Sequence, residues 1–205
     1  MFLKKKIILI FFVVIVIAAI TTYLRNNNDS NNNKIGGSFE LTNHLGEKTT
    51  NNTFNGYHRL VFFGFTHCPD FCPNTLNNIG TIIEKLDKKN KLIPIFITVD
   101  PERDTVLKLK NYLLNFNPNI IGLTGNKEQI TSVKKTFKIF SKKVMPMEEA
   151  NKENNVNHNH DHDHGAYAVD HTTIMYLMDE KGKYITHFSS DTKNQYIIKK
   201  INQYL

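Results

Sequence analysis

The chain has two cysteines, Cys68 and Cys72, and both lie in the segment VFFGFTHCPDFCPNTL at residues 61–76. Two thiolates at positions i and i+4 near a turn can form a disulfide, or they can both bind one soft metal ion. A third interpretation is a pair of small, buried hydrophobic side chains. A disulfide that closes so short a loop removes only about 2 kcal/mol of chain entropy. We therefore expect a chemical role for the pair rather than a cross-linking one.

The elements that flank the cysteines favour an ionised sulfur. Residues 60–66 form a continuous apolar run of strand length, and Pro73 suits the first position of a helix. The N–H groups and the dipole at the start of a helix both stabilise a thiolate. At least one of the two cysteines is therefore expected to ionise more easily than an ordinary thiol.

A metal ion bound by this pair needs a further ligand. A structural zinc site uses four protein donors, and the sequence has no second cysteine pair. Cu(I) favours thiolates and accepts two sulfurs with one imidazole, whereas a catalytic zinc site with an open fourth position is the less favoured alternative. Among the nine histidines, His171 stands just before an apolar strand, in a loop that packs against the cysteine turn in thioredoxin-like folds. A histidine at the start of a strand is usually structural, and only the position of this loop makes His171 a candidate ligand.

The order of the predicted elements favours an α/β fold. Buried strands alternate with amphipathic helices, and a hairpin and a helix close the chain, which is the thioredoxin-like arrangement with one extra β-α unit. We expect an N-terminal hairpin, a central sheet and helices on both faces. Binding and active sites in such sheets lie at the carboxyl ends of the strands, and the two cysteines directly follow one such end. The predicted elements are a hairpin turning at 43–46, strands at 60–66, 91–100 and 119–125, helices starting near Pro73, at Asp104 or Thr105 and at Asn126, a hairpin at 173–188 and a helix at 191–205.

The N-terminal residues predict a membrane anchor. Residues 7–24 are uncharged and mostly apolar, and as a helix they would span roughly 27 Å, close to the thickness of a bilayer core. Three lysines precede this run and one arginine follows it, which places residues 1–6 in the cytoplasm and exports the rest. A cleaved signal peptide is the alternative. Without a basic, serine-rich presequence, the start favours a bacterial inner membrane, with an Asn-rich linker at 25–34 and one periplasmic domain at 35–205.

The net charge of +7 gives little support for nucleic-acid binding. Much of it belongs to the four basic residues around the predicted anchor. In the domain, basic and acidic residues are interspersed along the sequence without a clustered stripe. We expect an ordinary solvated surface and no nucleic-acid partner.

Three sequence blocks resemble the Sco/SenC family of copper-binding assembly proteins. They are GFTHCPDFCP, TVDPERDT and YAVDHT followed by MYL, and the similarity extends from IGGSFELTNHLGE at residue 35 to the last helix. The resemblance implies a thioredoxin-like fold and a copper ion, Cu(I) or Cu(II), held by Cys68, Cys72 and His171. It also implies cytochrome c oxidase subunit II as the partner, which would receive copper at its dinuclear site or have the cysteines of that site reduced.

The histidine run NHNHDHDHGAY at residues 157–167 does not fit the pattern of that family. Four histidines alternate with polar residues, and such a run can bind Cu(II), Ni(II) or Zn(II). We expect residues 151–165 to form a mobile insert that either collects copper or has no metal role. The histidines are His158, His160, His162 and His164.

The VDPERDT segment also has two interpretations. Asp100 could bond to the cysteine loop or to a partner. The preferred interpretation is that Asp100 and Pro101 turn the chain while Asp104 caps a helix.

Together these features predict a membrane-tethered copper chaperone rather than an enzyme with turnover. Its partners would be the lipid bilayer, subunit II and other copper carriers. The rival prediction is a thiol–disulfide oxidoreductase that uses the same two cysteines to reduce exported proteins. Peroxide reduction has no convincing set of residues.

Overall fold

The structure is a computed structural model that describes residues 14–18, 20–22, 35–144 and 167–205. The chain divides into two compact units, Met1–Lys34 and Ile35–Leu205. Residues 14–18 and 20–22 are helical. Within the part of the chain that the structure describes, no helix has both the length and the apolar character needed to cross a bilayer. The predicted cytoplasmic residues 1–6, the linker at 25–34, most of the anchor at 7–24 and the insert at 151–165 lie outside the described residues.

Within residues 35–144 and 167–205, the second unit contains a seven-stranded sheet, a separate two-stranded sheet and four α-helices. The order in the large sheet is β2-β1-β5-β4-β3-β8-β9, and the small sheet pairs β6 with β7. The strands are β1 (Glu40–Asn43), β2 (Lys48–Thr50), β3 (His58–Gly64), β4 (Leu92–Thr98), β5 (Ile121–Thr124), β6 (Ser141–Val144), β7 (Ala168–His171), β8 (Ile174–Met178) and β9 (Tyr184–Ser189). The helices are α1 (Phe71–Glu84), α2 (Val106–Leu113), α3 (Lys127–Thr136) and α4 (Asn194–Asn202).

The centre of the large sheet is parallel and buried. Strand β3 pairs with β4, and β4 pairs with β5, in the same direction. All seven residues of β3 are buried, as expected for a strand covered on both faces. The carboxyl ends of these strands define one edge of the sheet, which we call the cysteine edge (Gly64, Thr98, Thr124). Their amino ends form the opposite edge (His58, Leu92, Ile121).

Helices cover both faces of the sheet, as predicted. Phe62 and Phe63 of β3 are neighbours in the sequence, so their side chains point to opposite faces of the sheet. The ring of Phe62 stacks on Phe96, which in turn lies 6.1 Å from the ring of Tyr112 in α2. The ring of Phe63 lies 5.2 Å from Phe137, just after α3. Each face therefore has its own aromatic contact between the sheet and a helix.

Some element boundaries differ from the predicted ones. Helix α1 begins at Phe71, with Asp70 at the N-cap position, so Pro73 occupies the third helical position rather than the first. Thr105 caps α2 by accepting the N–H of Lys108, whereas Asp104 does not act as the cap. The predicted Asn126 cap of α3 is confirmed, with Gln129 completing a capping box. Strands β6 and β7 were not predicted from the sequence.

Candidate metal centre

The loop after β3 brings the two cysteine sulfurs together. The N–H of Cys68 donates to the carbonyl of Phe65 at 3.3 Å, which closes a turn directly after the strand. Cys72 lies in the first turn of α1, and its N–H donates to the sulfur of Cys68 at 3.4 Å. No disulfide joins the two residues. The strand end and the helix start therefore place the pair at the cysteine edge, where the sequence predicted a site.

Cys72 is packed far more tightly than Cys68. Its side chain is 0% exposed, whereas Cys68 is only partly buried. Gly64 makes this packing possible, because a Cβ at that position would lie 2.8 Å from the Cys72 sulfur and 2.7 Å from Cε2 of Phe96. Real Cβ atoms are not found that close to other atoms, so a larger residue at position 64 would displace Cys72.

The two thiols have opposite pKa shifts. The pKa of Cys68 is lowered to about 5, first by a hydrogen bond from the Cys72 thiol and then by backbone N–H groups at the start of α1. The pKa of Cys72 is raised, first because its thiol donates to Cys68 and then because it is buried. At neutral pH the pair therefore consists of one thiolate that accepts a hydrogen bond from the other thiol. The predicted easy ionisation of one cysteine is supported by this arrangement.

A buried carboxylate beneath the loop was missed by the sequence analysis. Asp104 is 0% exposed, and it accepts hydrogen bonds from the N–H of Thr66 at 3.0 Å and from its hydroxyl at 2.6 Å. It also accepts the hydroxyl of Thr98 at 2.6 Å. Burial raises the pKa of this carboxyl, and the hydrogen bonds from Thr66 and Thr98 oppose the shift. Asp104 thus ties the start of the cysteine loop to the end of β4, rather than capping α2.

The other acidic residue of the segment, Asp100, bonds through its carboxylate to an arginine and a tyrosine outside the cysteine loop. Its carboxylate accepts Nε of Arg103 at 2.5 Å and the hydroxyl of Tyr167 at 2.6 Å. Arg103 also donates to the carbonyl of Tyr167 at 2.9 Å, and its guanidinium lies 3.6 Å from the centre of that ring. This network fixes the residue from which the chain enters β7. The sequence predicted Asp100 only as a turn residue and did not predict its hydrogen bonds to Arg103 and Tyr167.

The backbone of His171 lies near the cysteine edge. His171 is the last residue of β7 and pairs with Ser141 of β6. The N–H of the following residue, Thr172, donates to the carbonyl of Phe140 at 3.0 Å. Strand β8 then starts and runs antiparallel to β3, with Met175 opposite Phe62. His171 therefore precedes β8 at the same edge where the cysteine loop leaves β3. That its imidazole joins the two sulfurs stays a prediction.

The donor set suits a soft ion. Two sulfurs that share one proton can bind Cu(I), and N–H groups at the start of α1 offset the added negative charge. Among the side chains that the structure describes, no group of three or more His, Cys, Asp or Glu is arranged to hold a metal ion. The histidine run at 158–164 lies outside the described residues. The described residues therefore supply the two cysteine sulfurs, and the further ligand stays a prediction.

Comparison with known proteins identifies the family. A SCO2-like protein of Rickettsia felis is 42% identical over 166 residues, which cover 80% of this chain and 74% of that protein. The copper-bound structure of Bradyrhizobium japonicum ScoI is 35% identical with a TM-score of 0.69, covering 83% of this chain and 99% of that one. The structure of BsSco, 23% identical with a TM-score of 0.60 over 83% of this chain and 93% of that one, shows the same fold. The sequence model of the family described as SCO1/SenC matches residues 27–205. The chain therefore belongs to the SCO1/SenC family.

Proposed function

We propose that this protein is a membrane-tethered copper chaperone that delivers copper to cytochrome c oxidase subunit II. Its cargo ion is bound by the sulfurs of Cys68 and Cys72 and by the imidazole of His171. The observation that carries the proposal is the thiolate–thiol pair at the start of α1, in a family whose Bradyrhizobium japonicum member has been solved with copper bound. The oxidase as partner is supported by the description of BsSco as a member of a family of cytochrome c oxidase assembly proteins.

The pair is suited to reversible binding. The Cys68 thiolate offers a charged sulfur without prior loss of a proton, and binding by both sulfurs then displaces the proton of Cys72. The neutral imidazole of His171 is the weakest of the three donors toward Cu(I), so it can leave first when a partner competes for the ion. Such a site binds and transfers an ion without catalysing a reaction.

Copper stoichiometry tests this assignment. We expect one Cu(I) per chain in a variant that lacks residues 157–164, because the deletion removes the competing histidine run. His171→Ala in the same background should lose most of its copper during dialysis against a competing chelator, since two sulfurs alone leave the ion more open to exchange. His187→Ala, which changes an exposed histidine on β9, is the matched control and should keep its copper. Full copper retention after Cys68→Ser/Cys72→Ser would refute the proposal.

The location is part of the same proposal. We place residues 7–24 across a bacterial inner membrane, with the SCO1/SenC domain in the periplasm. The support is the apolar run itself, with basic residues concentrated on its N-terminal side. An exported domain would meet subunit II and other copper carriers rather than nucleic acid.

Thiol–disulfide exchange is the second candidate function. A low-pKa thiolate with a second cysteine in reach is also what a reductant of protein disulfides needs, and BsSco is described as containing a disulfide switch. Exchange does not require an imidazole ligand. A His171→Ala variant that keeps both its copper and its exchange activity, with exchange lost in Cys68→Ser, would favour this second function.

A further inference from the structure

Exposed lysines collect at the edge of the sheet opposite the cysteines. Residues 85–91 connect the end of α1 to β4, and because β4 begins beside His58, this segment lies at that opposite edge. The turn between β8 and β9 lies there too, because β8 runs antiparallel to β3. Two carboxylates, Glu84 and Asp87, accompany the first group, and Asp179 and Glu180 accompany the second. We call these lysines the lysine edge: Lys85, Lys88, Lys89, Lys91, Lys181 and Lys183, all of them exposed.

Stabilisation of helix ends accounts for only part of this cluster. Lysines often occupy the last turn of a helix, where they offset the negative end of the helix dipole. The last turn of α1 contains no basic residue. Lys85 is the C-cap residue of α1, and Lys89 and Lys91 lie in a short 3-10 segment before β4. Lys88 precedes that segment, and its ammonium donates to the carbonyl of Leu205 at 2.7 Å. Six lysines against the four carboxylates leave this edge with a formal net charge of +2, which favours an anionic surface as its partner.

The chain enters the domain at this same edge. The N–H of Gly36 donates to the carbonyl of Thr136 at 2.9 Å, at the end of α3. A Cβ on Gly36 would lie 2.4 Å from Cε of Met178, the last residue of β8, and 3.6 Å from the carbonyl of Gly182 in the following turn. Residues 25–34 separate the apolar N-terminal segment from this point, and ten residues can span at most about 36 Å in any conformation. The first described residues of the domain thus lie at the edge that carries the lysines.

Two exposed tyrosines accompany the lysines. Tyr57, which directly precedes β3, is 42% exposed, and Tyr204, which follows α4, is 41% exposed. The ammonium of Lys200 lies 5.6 Å from the centre of the Tyr204 ring. Tyrosine is enriched at the headgroup level of membranes, where its ring and its hydroxyl each find a suitable environment. Both tyrosines therefore suit the same kind of surface as the lysines.

We propose that the lysine edge rests against anionic phospholipid headgroups of the bilayer that holds the N-terminal segment. This inference relies on the anchoring proposed above and adds an orientation to it. Each lysine near an anionic surface increases partitioning about five-fold, over a range of about 8 Å at physiological salt. Residues 25–34 link the domain covalently to the membrane segment, so the contact between lysines and headgroups is intramolecular. A few weak ionic interactions are then enough for the contact to form in a large fraction of molecules. The cysteine edge then faces away from the bilayer.

Lysine acetylation of the full chain in lipid nanodiscs tests the orientation. One set of discs contains phosphatidylcholine alone, and the other contains phosphatidylglycerol as well. We expect acetylation of Lys88, Lys89 and Lys91, measured by mass spectrometry, to slow at least three-fold in the anionic discs and to recover in 0.5 M salt. Lys142 on β6 and Lys193 before α4 are exposed near the cysteine edge and should react equally in both discs.

Two variants separate the contact from general effects of the lipid. Lys88→Gln/Lys89→Gln/Lys91→Gln should abolish the protection of Lys85 and Lys181, whereas Lys142→Gln/Lys193→Gln should preserve it. Equal acetylation rates in the two kinds of disc would overturn the proposal. Protection in neutral discs that increases with the number of chains per disc would assign the lysine edge to a second copy of the chain and would also overturn it.

Discussion

At the scale of single residues, the hydrogen bond between the two cysteines determines the chemistry of the site. Cys68 is a thiolate at neutral pH because the Cys72 thiol donates to it and backbone N–H groups at the start of α1 surround it. Cys72 keeps its proton for the same reason and because it is buried. The two sulfurs thus share one proton, and the less buried sulfur, that of Cys68, carries the charge.

The pH dependence of alkylation tests this division. Since the pKa of Cys68 is lowered to about 5, its rate of reaction with iodoacetamide should stay nearly constant from pH 8 down to pH 6 and fall only as the pH approaches 5. An ordinary thiol loses about ten-fold in rate per pH unit over the same range. Cys72→Ala removes the donor, so the plateau should shift to higher pH. A steady decline of the wild-type rate from pH 8 would contradict the assignment.

At the scale of elements, Asp104 connects three pieces of structure around the site. Its carboxylate bonds to Thr66 at the start of the cysteine loop and to Thr98 at the end of β4, and its own carbonyl accepts the hydroxyl of Thr124 at the end of β5. All three parallel strands of the centre therefore converge on one buried residue. The position of the loop, and with it that of Cys68, depends on this connection.

Two substitutions at position 104 should have different effects. Asp104→Ala leaves the N–H of Thr66 and the hydroxyl of Thr98 without their acceptor, and should lower the free energy of unfolding by about 3 kcal/mol. Asp104→Asn should cost much less, because an amide can still accept from both groups and donate to the Thr66 hydroxyl. Urea denaturation measures both variants. Equal destabilisation by alanine and asparagine would mean that the charge, rather than the hydrogen bonds, holds the loop.

At the scale of the whole molecule, residues 35–205 have a hydrophobic core of their own. Its buried residues come from the central strands and from the helices on both faces. A chain beginning at Ile35 should therefore unfold cooperatively at the same temperature as the full chain in detergent, within about 2 °C. It should also bind the same amount of Cu(I). Calorimetry and copper analysis check this, and a lower Tm would show that the first 34 residues contribute to the core.

Much of this architecture could be predicted from the sequence, because its strands and helices have strong local signals. The apolar run of β3, the Asn126 cap and the two hairpins are of this kind. Strands β6 and β7 could not be predicted, since SKKV and AVDH lack a regular apolar alternation and pair across a long insertion.

The supporting residues of the site were missed for a different reason. Asp104 contacts Thr66 across 38 residues of sequence, and Arg103 contacts Tyr167 across 64. Local patterns carry no information about such partners, so these residues were assigned to turns and caps. The requirement for glycine at position 64 could not be predicted from local sequence either. It comes from Phe96 on the neighbouring strand and from Cys72 on the helix, which leave no room for a Cβ.

The tight packing of Cys72 against Gly64 and Phe96 also limits the size of the molecules that can reach the Cys72 sulfur. A bulky thiol compound or a protein that holds copper can touch the outer sulfur, but it has no room to reach the inner one. In the proposed copper site, a large donor would therefore contact the Cys68 sulfur first, and the Cys72 sulfur would bind the ion only after the donor has left.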